Sequence, residues 1–243
     1  MTAKRFFAAS NQIKPPYIIL TGREHHHLSR VVRIQTGQRI EVFDERGYAY
    51  SALVEHIDSS ATRLRILESL PSSQNKLKLI LAPALIKAKA MELVIQKSTE
   101  LGASCIYPLI AQHSVVKYDS NVQKKMSRWK KIILDAAKQS GQTILPEMKQ
   151  PVTLTDFFAS QPKKTGFCLD QEAENLLKQH LHRIPPPKDE VLLMVGPEGD
   201  WTEEEKKAIV QHGFHMAGLG RMILRSETAA ISGMAIISHF WMS

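Results

Sequence analysis

The stretch VLLMVGPEGDWTEEE, Val191 to Glu205, sets an apolar run, a two-glycine loop and a block of acids side by side. The apolar run reads as a strand, and the alternation of strand-like and helical runs around it implies a parallel sheet. Thr202 followed three residues later by Glu205 is a capping box, so Glu203, Glu204 and Glu205 serve the start of a helix. The same scheme recurs at once: a short strand near HMAGL, then LGRMILRSETA (Leu219 to Ala229), then a last apolar helix for which Ser226 is the expected cap. Two glycine loops therefore follow two consecutive strands, where parallel sheets bind ligands.

Upstream, the pattern is also strand then helix. LKLILAPAL precedes a helix whose face carries Met91, Val94, Ile95, Ser98 and Leu101, with Gly102 as its stop. SCIYPLI is the next strand, which implies a parallel pair with a right-handed crossover. A long helix over NVQKKMSRWKKIILDAAKQSG turns Met126, Trp129, Ile132, Ile133 and Ala136 inward, and GFCLD and a helix through QEAENLLKQHL follow. Residues 1–70 differ. RIEVFD, a DERG turn, YAYSALVEHI and TRLRIL read as a β meander, preceded by a short helix over EHHHLSRVVRIQTG ended by Gly37. PSSQNK is the linker. The class is α/β with a β-rich N-terminal domain.

The 243 residues, 43% of them hydrophobic, can supply a real core. No run of eighteen apolar residues occurs and the N-terminal residues lack a signal-peptide pattern, so a cytoplasmic protein is expected. Cys105 and Cys168 sit in apolar runs and read as buried thiols, and no metal site is expected; the consecutive His25 to His27 point in different directions on a helix. The formal charge of +8 is unevenly placed: residues 76–149 carry 13 Lys+Arg against 5 Asp+Glu, and residues 150–243 carry 9 against 12. Such asymmetry suits a polyanion held on one side, although solvated helix faces would look alike.

Neither glycine loop fits the common nucleotide motifs. GPEGDWT has no lysine where a P-loop needs one, and GLGRMI offers two glycines at the wrong end of the chain for a dinucleotide fingerprint. Glu198, Arg221, Arg225, Glu227 and Thr228 are the polar residues these loops leave for chemistry, and Glu198 with Arg225 could equally be an ion pair that stiffens them.

GPEGDWTEEE, GFHMAGLGRMILRSETAAI, ELVIQKSTELGASCIYPLIAQHSVVK, RWKKIILDAAKQSGQTILP and HHLSRVVRIQTGQRIEVFD together resemble the bacterial 16S rRNA uridine-N3 methyltransferases of the knotted SPOUT class. The resemblance runs nearly end to end. It implies a PUA-like β-barrel over residues 1–72 that helps hold rRNA, and a SPOUT domain over residues 73–243 with a parallel sheet and a deep trefoil knot. It further implies a homodimer paired through the knot helices, and methylation of N3 of a uridine in the decoding region of 16S rRNA in the 30S subunit. S-adenosylmethionine would be held by Leu169, Gly196, Pro197, Glu198, Gly199, Leu219, Gly220, Ile223, Leu224, Thr228 and Ala229, mostly through the main chain. Arg225 would stabilise the uracil carbonyl charge or orient the substrate, with Glu198 or Glu227 positioning it. His113 and Asp170 are weaker candidates for a base. Phosphate contacts are expected from Arg5, Arg23, Arg30, Arg33, Lys87, Lys89, Lys117, Lys124 and Lys125.

The chain departs from the family pattern in three places: Asp200 replaces a second glycine after GPEG, His113 stands where RS is common, and Gln142 where arginine is usual. Two alternatives stand beside this reading: a non-catalytic rRNA-binding or assembly factor that has kept the fold, and a ribose 2'-O-methyltransferase of the same superfamily, which the PUA-like domain and the ILRSETA form of the last motif disfavour.

Overall fold

The computed structural model describes residues 4–71, 77–114, 122–161 and 165–242. The chain divides into two compact units, Met1–Gln74 with Ala137–Leu145, and Asn75–Ala136 with Pro146–Ser243.

The first unit is built on β1 (Arg5–Phe7), β2 (Ile13–Lys14), β3 (Tyr17–Thr21), α1 (Gly22–His26), β4 (Arg39–Phe43), β5 (Ala49–Ile57) and β6 (Ala61–Leu70). The strands form one sheet in the order β1-β4-β5-β6-β3-β2. All its pairs are antiparallel except β1 with β4. Alternation does what period two predicts. Ile18, Leu20, Ile40, Val42, Val54 and Leu64 turn inward onto Phe6 and Leu28, and Arg63 and Arg65 turn outward. The DERG turn is held by the buried Asp44 carboxylate, which accepts hydrogen bonds from the Arg46 and Tyr48 N–H groups, each at 3.0 Å.

The helix of this unit is shorter than its sequence suggests. It runs from Gly22 and widens into a π-helical turn over His27–Val31, where Val32 N–H bonds to His27 O. Arg33 then takes a left-handed φ of 56° and breaks the winding. Gly37 lies outside the helix, at the turn into β4, with its N–H donated to Val54 O. His25 is buried and bonded to Thr62 Oγ1 at 2.9 Å, a packing role.

The second unit contains β7 (Lys78–Pro83), α2 (Ala88–Glu100), β8 (Ala103–Ile106), β9 (Leu109–Ile110), α3 (Val122–Ser140), β10 (Glu147–Met148) and β11 (Val152–Thr153). It continues through α4 (Leu154–Ser160), β12 (Gly166–Leu169), α5 (Leu177–Arg183), β13 (Glu190–Val195), α6 (Glu203–Gln211), β14 (Phe214–Ala217) and α7 (Ser226–Trp241). From Ala137 onward α3 groups with the first unit. The main sheet runs β10-β8-β7-β13-β12-β14 and every pair in it is parallel. Val191 through Val195 are all buried, as the unbroken apolar run requires. The helix α7 packs over β13, β7 and α2.

Three local expectations are revised. SCIYPLI is two strands, because the chain leaves the main sheet at Tyr107 and Pro108, and the Pro108 carbonyl accepts from Val152 N–H instead. The helix expected through QEAENLLKQHL begins only at Leu177. The backbone ahead of it is spent on a neighbouring loop: Gly218 N–H donates to Asn175 O, and Leu177 N–H to Gly218 O. Ser226 is the first residue of α7, so the N-cap is Arg225, whose side chain makes no capping bond.

Candidate active site

Parallel register puts four strand ends in one row. Pro83 pairs with Val195, Val195 with Leu169, and Leu169 with Ala217, so β7, β13, β12 and β14 all stop at the same level. The order of these strands does not follow the sequence, since β12 lies between β13 and β14 and β13 touches the far earlier β7. A crevice opens above such a reversal, lined by the loops that leave the strands. Here it is a cleft of about 780 Å³ walled by the loops after β12, β13 and β14, by the start of α7 and by Lys87, Lys89, Ala90 and Leu93 at the start of α2. Gly218 lets two of the loops close on each other: a Cβ there would lie 3.3 Å from Leu176 Cδ2 and 3.4 Å from Ala173 O.

Side chains fix the loop after β13 from three directions. Thr202 caps α6 through the Glu205 N–H, and Glu205 returns one carboxylate oxygen to Thr202 N–H and the other to Gln112 N–H at 2.9 Å. His113 presents Nδ1 to the carbonyls of Gly199 and Asp200, at 2.9 and 3.2 Å, which makes it a donor there. Lys206 reaches from α6 to Asp170 at 3.1 Å and to Asp200 at 3.2 Å, and so joins the loop after β12 to the loop after β13. Burial works against the Lys206 charge, but the hydrogen bonds and charges of Asp170 and Asp200 outweigh it and hold the ammonium above the ordinary lysine range. Asp200 itself sits at φ 62°, a conformation suited to glycine, and its carboxylate also accepts from Trp201 N–H at 2.8 Å. The departure from glycine is thus compensated by two local bonds.

Of the residues expected around a cofactor, Leu169, Gly196, Pro197, Glu198, Leu219, Gly220, Ile223, Leu224 and Ala229 line the cleft. Gly199 and Thr228 do not. Gly199 packs against His113, whose Cβ would be 3.0 Å from an added side chain, and Thr228 points outward on the first turn of α7. Arg225, Glu198 and Glu227 all line the cleft. No ion pair joins Glu198 to Arg225 among the described residues; a Glu198 carboxylate oxygen accepts from Lys87 N–H at 3.4 Å. His113 is a brace rather than a base facing the cleft, and Asp170, which does line it, is committed to Lys206.

Among the expected phosphate contacts, Lys87 and Lys89 are exposed at the cleft, Arg23, Arg30 and Arg33 are exposed in the first unit, and Lys124 is exposed and Lys125 half-buried on α3. Arg5 is a correction. Its side chain is 9% exposed, pairs with Glu41 at 3.1 Å, reaches the Gln142 carbonyl at 3.3 Å and lies over the Phe43 ring. It is a largely buried structural cation rather than an exposed phosphate contact, and burial lowers its pKa. Lys117 falls outside the described residues. Sequence reading missed Lys206 as the partner of Asp170 and Asp200; a lysine one turn into the helix behind the loop was the available signal. Both cysteines are buried and unpaired in disulfides.

A parallel sheet with its cleft at a strand-order reversal defines a class, and the family comparison agrees: residues 73–238 match the RNA methyltransferase domain, and residues 20–67 the RNA methyltransferase PUA domain. Ribosomal RNA small subunit methyltransferase E of Synechocystis is 33% identical over 241 residues, 97% of this chain and 77% of that one. The enzyme of the same name from Mesomycoplasma hyopneumoniae is 31% identical, covering 93% and 95%. A methyltransferase of Legionella pneumophila, solved with bound S-adenosylmethionine, superposes with a TM-score of 0.89 at 30% identity over 98% of each chain. Ribosomal RNA small subunit methyltransferase E of Neisseria gonorrhoeae, also bound to S-adenosylmethionine, gives a TM-score of 0.89 at 26% identity over 99% and 98%. This chain belongs to the ribosomal RNA small subunit methyltransferase E family.

Proposed function

We propose that this chain transfers a methyl group from S-adenosylmethionine to N3 of one uridine in the decoding region of 16S rRNA, acting on the 30S subunit. The observation that carries the reading is the level row of strand ends, Pro83, Val195, Leu169 and Ala217, beneath a cleft of about 780 Å³. That volume lies within the range of about 300–1,000 Å³ usual for small-molecule sites. The walls suit the donor. Leu169, Ile223, Leu224 and Ala229 offer an apolar surface and open main chain for an adenosine, and Glu198 and Glu227 offer carboxylates to a molecule with an ammonium and a sulfonium.

When bound, the donor supplies an electrophilic methyl carried on positive sulfur. The chain's residues do the rest. Loss of the N3 proton to water puts negative charge on N3 and the uracil carbonyl oxygens, and that charge is consumed as the N3–carbon bond forms and the carbon–sulfur bond breaks, leaving a neutral thioether. Arg225, exposed at the N-cap of α7 and facing the cleft, is placed to meet that charge with a planar fork of donors. Glu227, in the first turn of α7, and Glu198 line the same cleft and are the carboxylates that position Arg225. Asp170 carries a permanent partner in Lys206 and serves position rather than proton transfer.

The finer architecture belongs to the same reading: the six-stranded N-terminal sheet closes as a PUA-like barrel, and the segments after β12 thread a trefoil knot. The helix α7 is apolar around most of its circumference, yet only Ala230, Gly233, Met234 and Ile237 are buried, and Met222 and Ile223 just ahead of it are 79% and 82% exposed. This supports a homodimer formed over the knot helices, and the cytoplasm is the place that a 30S substrate implies. No helix among the described residues is long and apolar enough to cross a membrane. Titration calorimetry with S-adenosylmethionine tests the reading: saturable binding near one per chain is expected, and a flat trace would favour a non-catalytic rRNA-binding factor.

A further inference from the structure

The outward face of the N-terminal sheet carries a row of side chains that none of the expected phosphate contacts includes. In register, Lys14 on β2 lies beside Tyr17 on β3, Tyr17 beside Arg65 on β6, Arg65 beside Leu53 on β5, and Leu53 beside Arg39 on β4. Directly paired residues point to the same side of a sheet, and the opposite side is the core of Ile18, Leu64, Val54 and Ile40. A second, shorter row sets Ile19 beside Arg63. Strands about 4.8 Å apart make the first row about 19 Å long, with cations spaced about 10 Å apart along it.

Its chemistry is specific. Tyr17 is 39% exposed, as is Ile19, and the Arg63 guanidinium lies 5.5 Å from the centroid of the Tyr17 ring. Glu55, set at a bulge of β5, pairs with Arg63 at 3.5 Å and Arg65 at 2.9 Å and holds the two forks apart, while both arginines keep half or more of their side-chain surface in solvent. Four cations against this one carboxylate leave the face strongly positive. The register position beyond it, Ser51 beside Glu41 and Glu68, is acidic and ends the patch. Cations in a line about an exposed aromatic ring and an apolar floor are what a single-stranded nucleic acid requires: phosphates for the cations, and a π-face on which a base can stack.

We propose that this face, Lys14, Tyr17, Arg39, Arg63 and Arg65, is a docking surface for a single-stranded segment of RNA, with a base on Tyr17 and the backbone along the cation row. The proposal rests on the function above, since it assumes an RNA substrate, and it names none of the cleft residues. Arg23, Arg30 and Arg33 come from the helical segment of the unit and are no part of it.

The test is fluorescence anisotropy of the full chain with a labelled single-stranded oligonucleotide of the 16S decoding region, over a series of KCl concentrations. Lys14→Gln with Arg65→Gln should weaken binding by about ten-fold or more and lower the slope of log Kd against log salt by about 1.4, or about 0.7 for each lost phosphate contact. Tyr17→Ala should weaken binding by about ten-fold and Tyr17→Phe should restore it, because stacking needs the ring alone. The affinity for S-adenosylmethionine should stay that of the parent in all three, which also shows that they fold. Lys178→Gln with Lys207→Gln is the control for loss of two exposed charges. Row variants that bind RNA like this control, with the parental salt slope, overturn the proposal while methyl transfer to 30S subunits by the parent leaves the enzymatic reading standing. A parent chain that neither binds the oligonucleotide nor methylates 30S subunits overturns both.

Discussion

The ammonium of Lys206 lies 3.1 Å from the carboxylate of Asp170, with 14% and 7% of the two side chains exposed. The pair joins α6 to the first residue beyond β12, and through Asp200 to the neighbouring loop, so it sets the distance between two walls of the cleft. Replacing Lys206 by Met leaves two carboxylates facing each other without their cation. The expected cost is about 2 kcal/mol of stability by chemical denaturation, between exposed and fully buried pairs, with an S-adenosylmethionine Kd raised about ten-fold; Lys206→Arg should restore most of the affinity. Because the folded-state pKa of Lys206 is raised, its contribution is complete below the ordinary lysine value and is lost only as pH climbs through the raised one. Parental affinity attributable to this cation should therefore be level from pH 7 to 9. A Lys206→Met chain that binds the donor as the parent does would show that the clip has no bearing on the cleft.

Arg225 occupies the N-cap of α7 with no capping bond. Serine at that position would supply one, and Arg225→Ser is expected to stabilise the chain by about 0.5–1 kcal/mol. The same variant should lose methyl transfer by at least a hundred-fold while binding the donor within a few-fold of the parent. Denaturation, calorimetry and single-turnover transfer measure the three quantities. Retained transfer would remove Arg225 from the chemistry.

Gly233 is where α7 crosses the β12–β13 seam: an added Cβ would lie 2.8 Å from Leu193 Cδ2 and 3.0 Å from Leu169 Cδ1. Alanine is the better helix former by about 1 kcal/mol, but overpacking costs about 1–3 kcal/mol. Gly233→Ala should therefore be destabilising on balance. It should also weaken donor binding, since Leu169 is both the strand end and a wall of the cleft. A stabilised Gly233→Ala chain with parental affinity would mean that α7 has room to lift.

Burial pushes the Cys105 thiol up to about 12, and burial likewise raises Cys168, which is fully enclosed. Thiolate is the reactive form, so at pH 8 neither should be alkylated by iodoacetamide in the folded chain within an hour, and both should react on denaturation. Mass spectrometry of the intact protein reads this directly, and rapid labelling of the native chain would contradict the packing.

The layout of this molecule was legible wherever burial follows a simple period. The apolar run at Val191–Val195 read as a strand of a parallel sheet and is one, and Thr202 with Glu205 read as a capping box and forms it. Alternation in β6 separated Leu64 from Arg63 and Arg65 correctly. What failed was decided by partners distant in sequence. Residues ahead of Leu177 have a helical composition, but their backbone groups are spent on Gly218, which lies beyond two further strands. Arg5 resembles any N-terminal cation until Glu41, Phe43 and Gln142 close around it. The cleft residues came from a motif resemblance because most of them act through main chain, and side-chain chemistry leaves little trace of that in a sequence. Lys206 escaped notice for the opposite reason: in the charged run Glu203 to Lys207 its place one turn into the helix is the sole local signal, and its partners Asp170 and Asp200 are fixed by the fold.

The central claim is transfer of a methyl to N3 of a single uridine, and mass-spectrometric mapping of 16S rRNA tests it most directly. Ribosomal RNA is digested from cells lacking the gene and from the same cells with it restored. One uridine of the decoding region should lose its base methyl in the first sample and regain it in the second, with the fragment ions placing the group on the base. A methyl found on ribose, or a 16S rRNA unchanged by loss of the gene, would contradict the account.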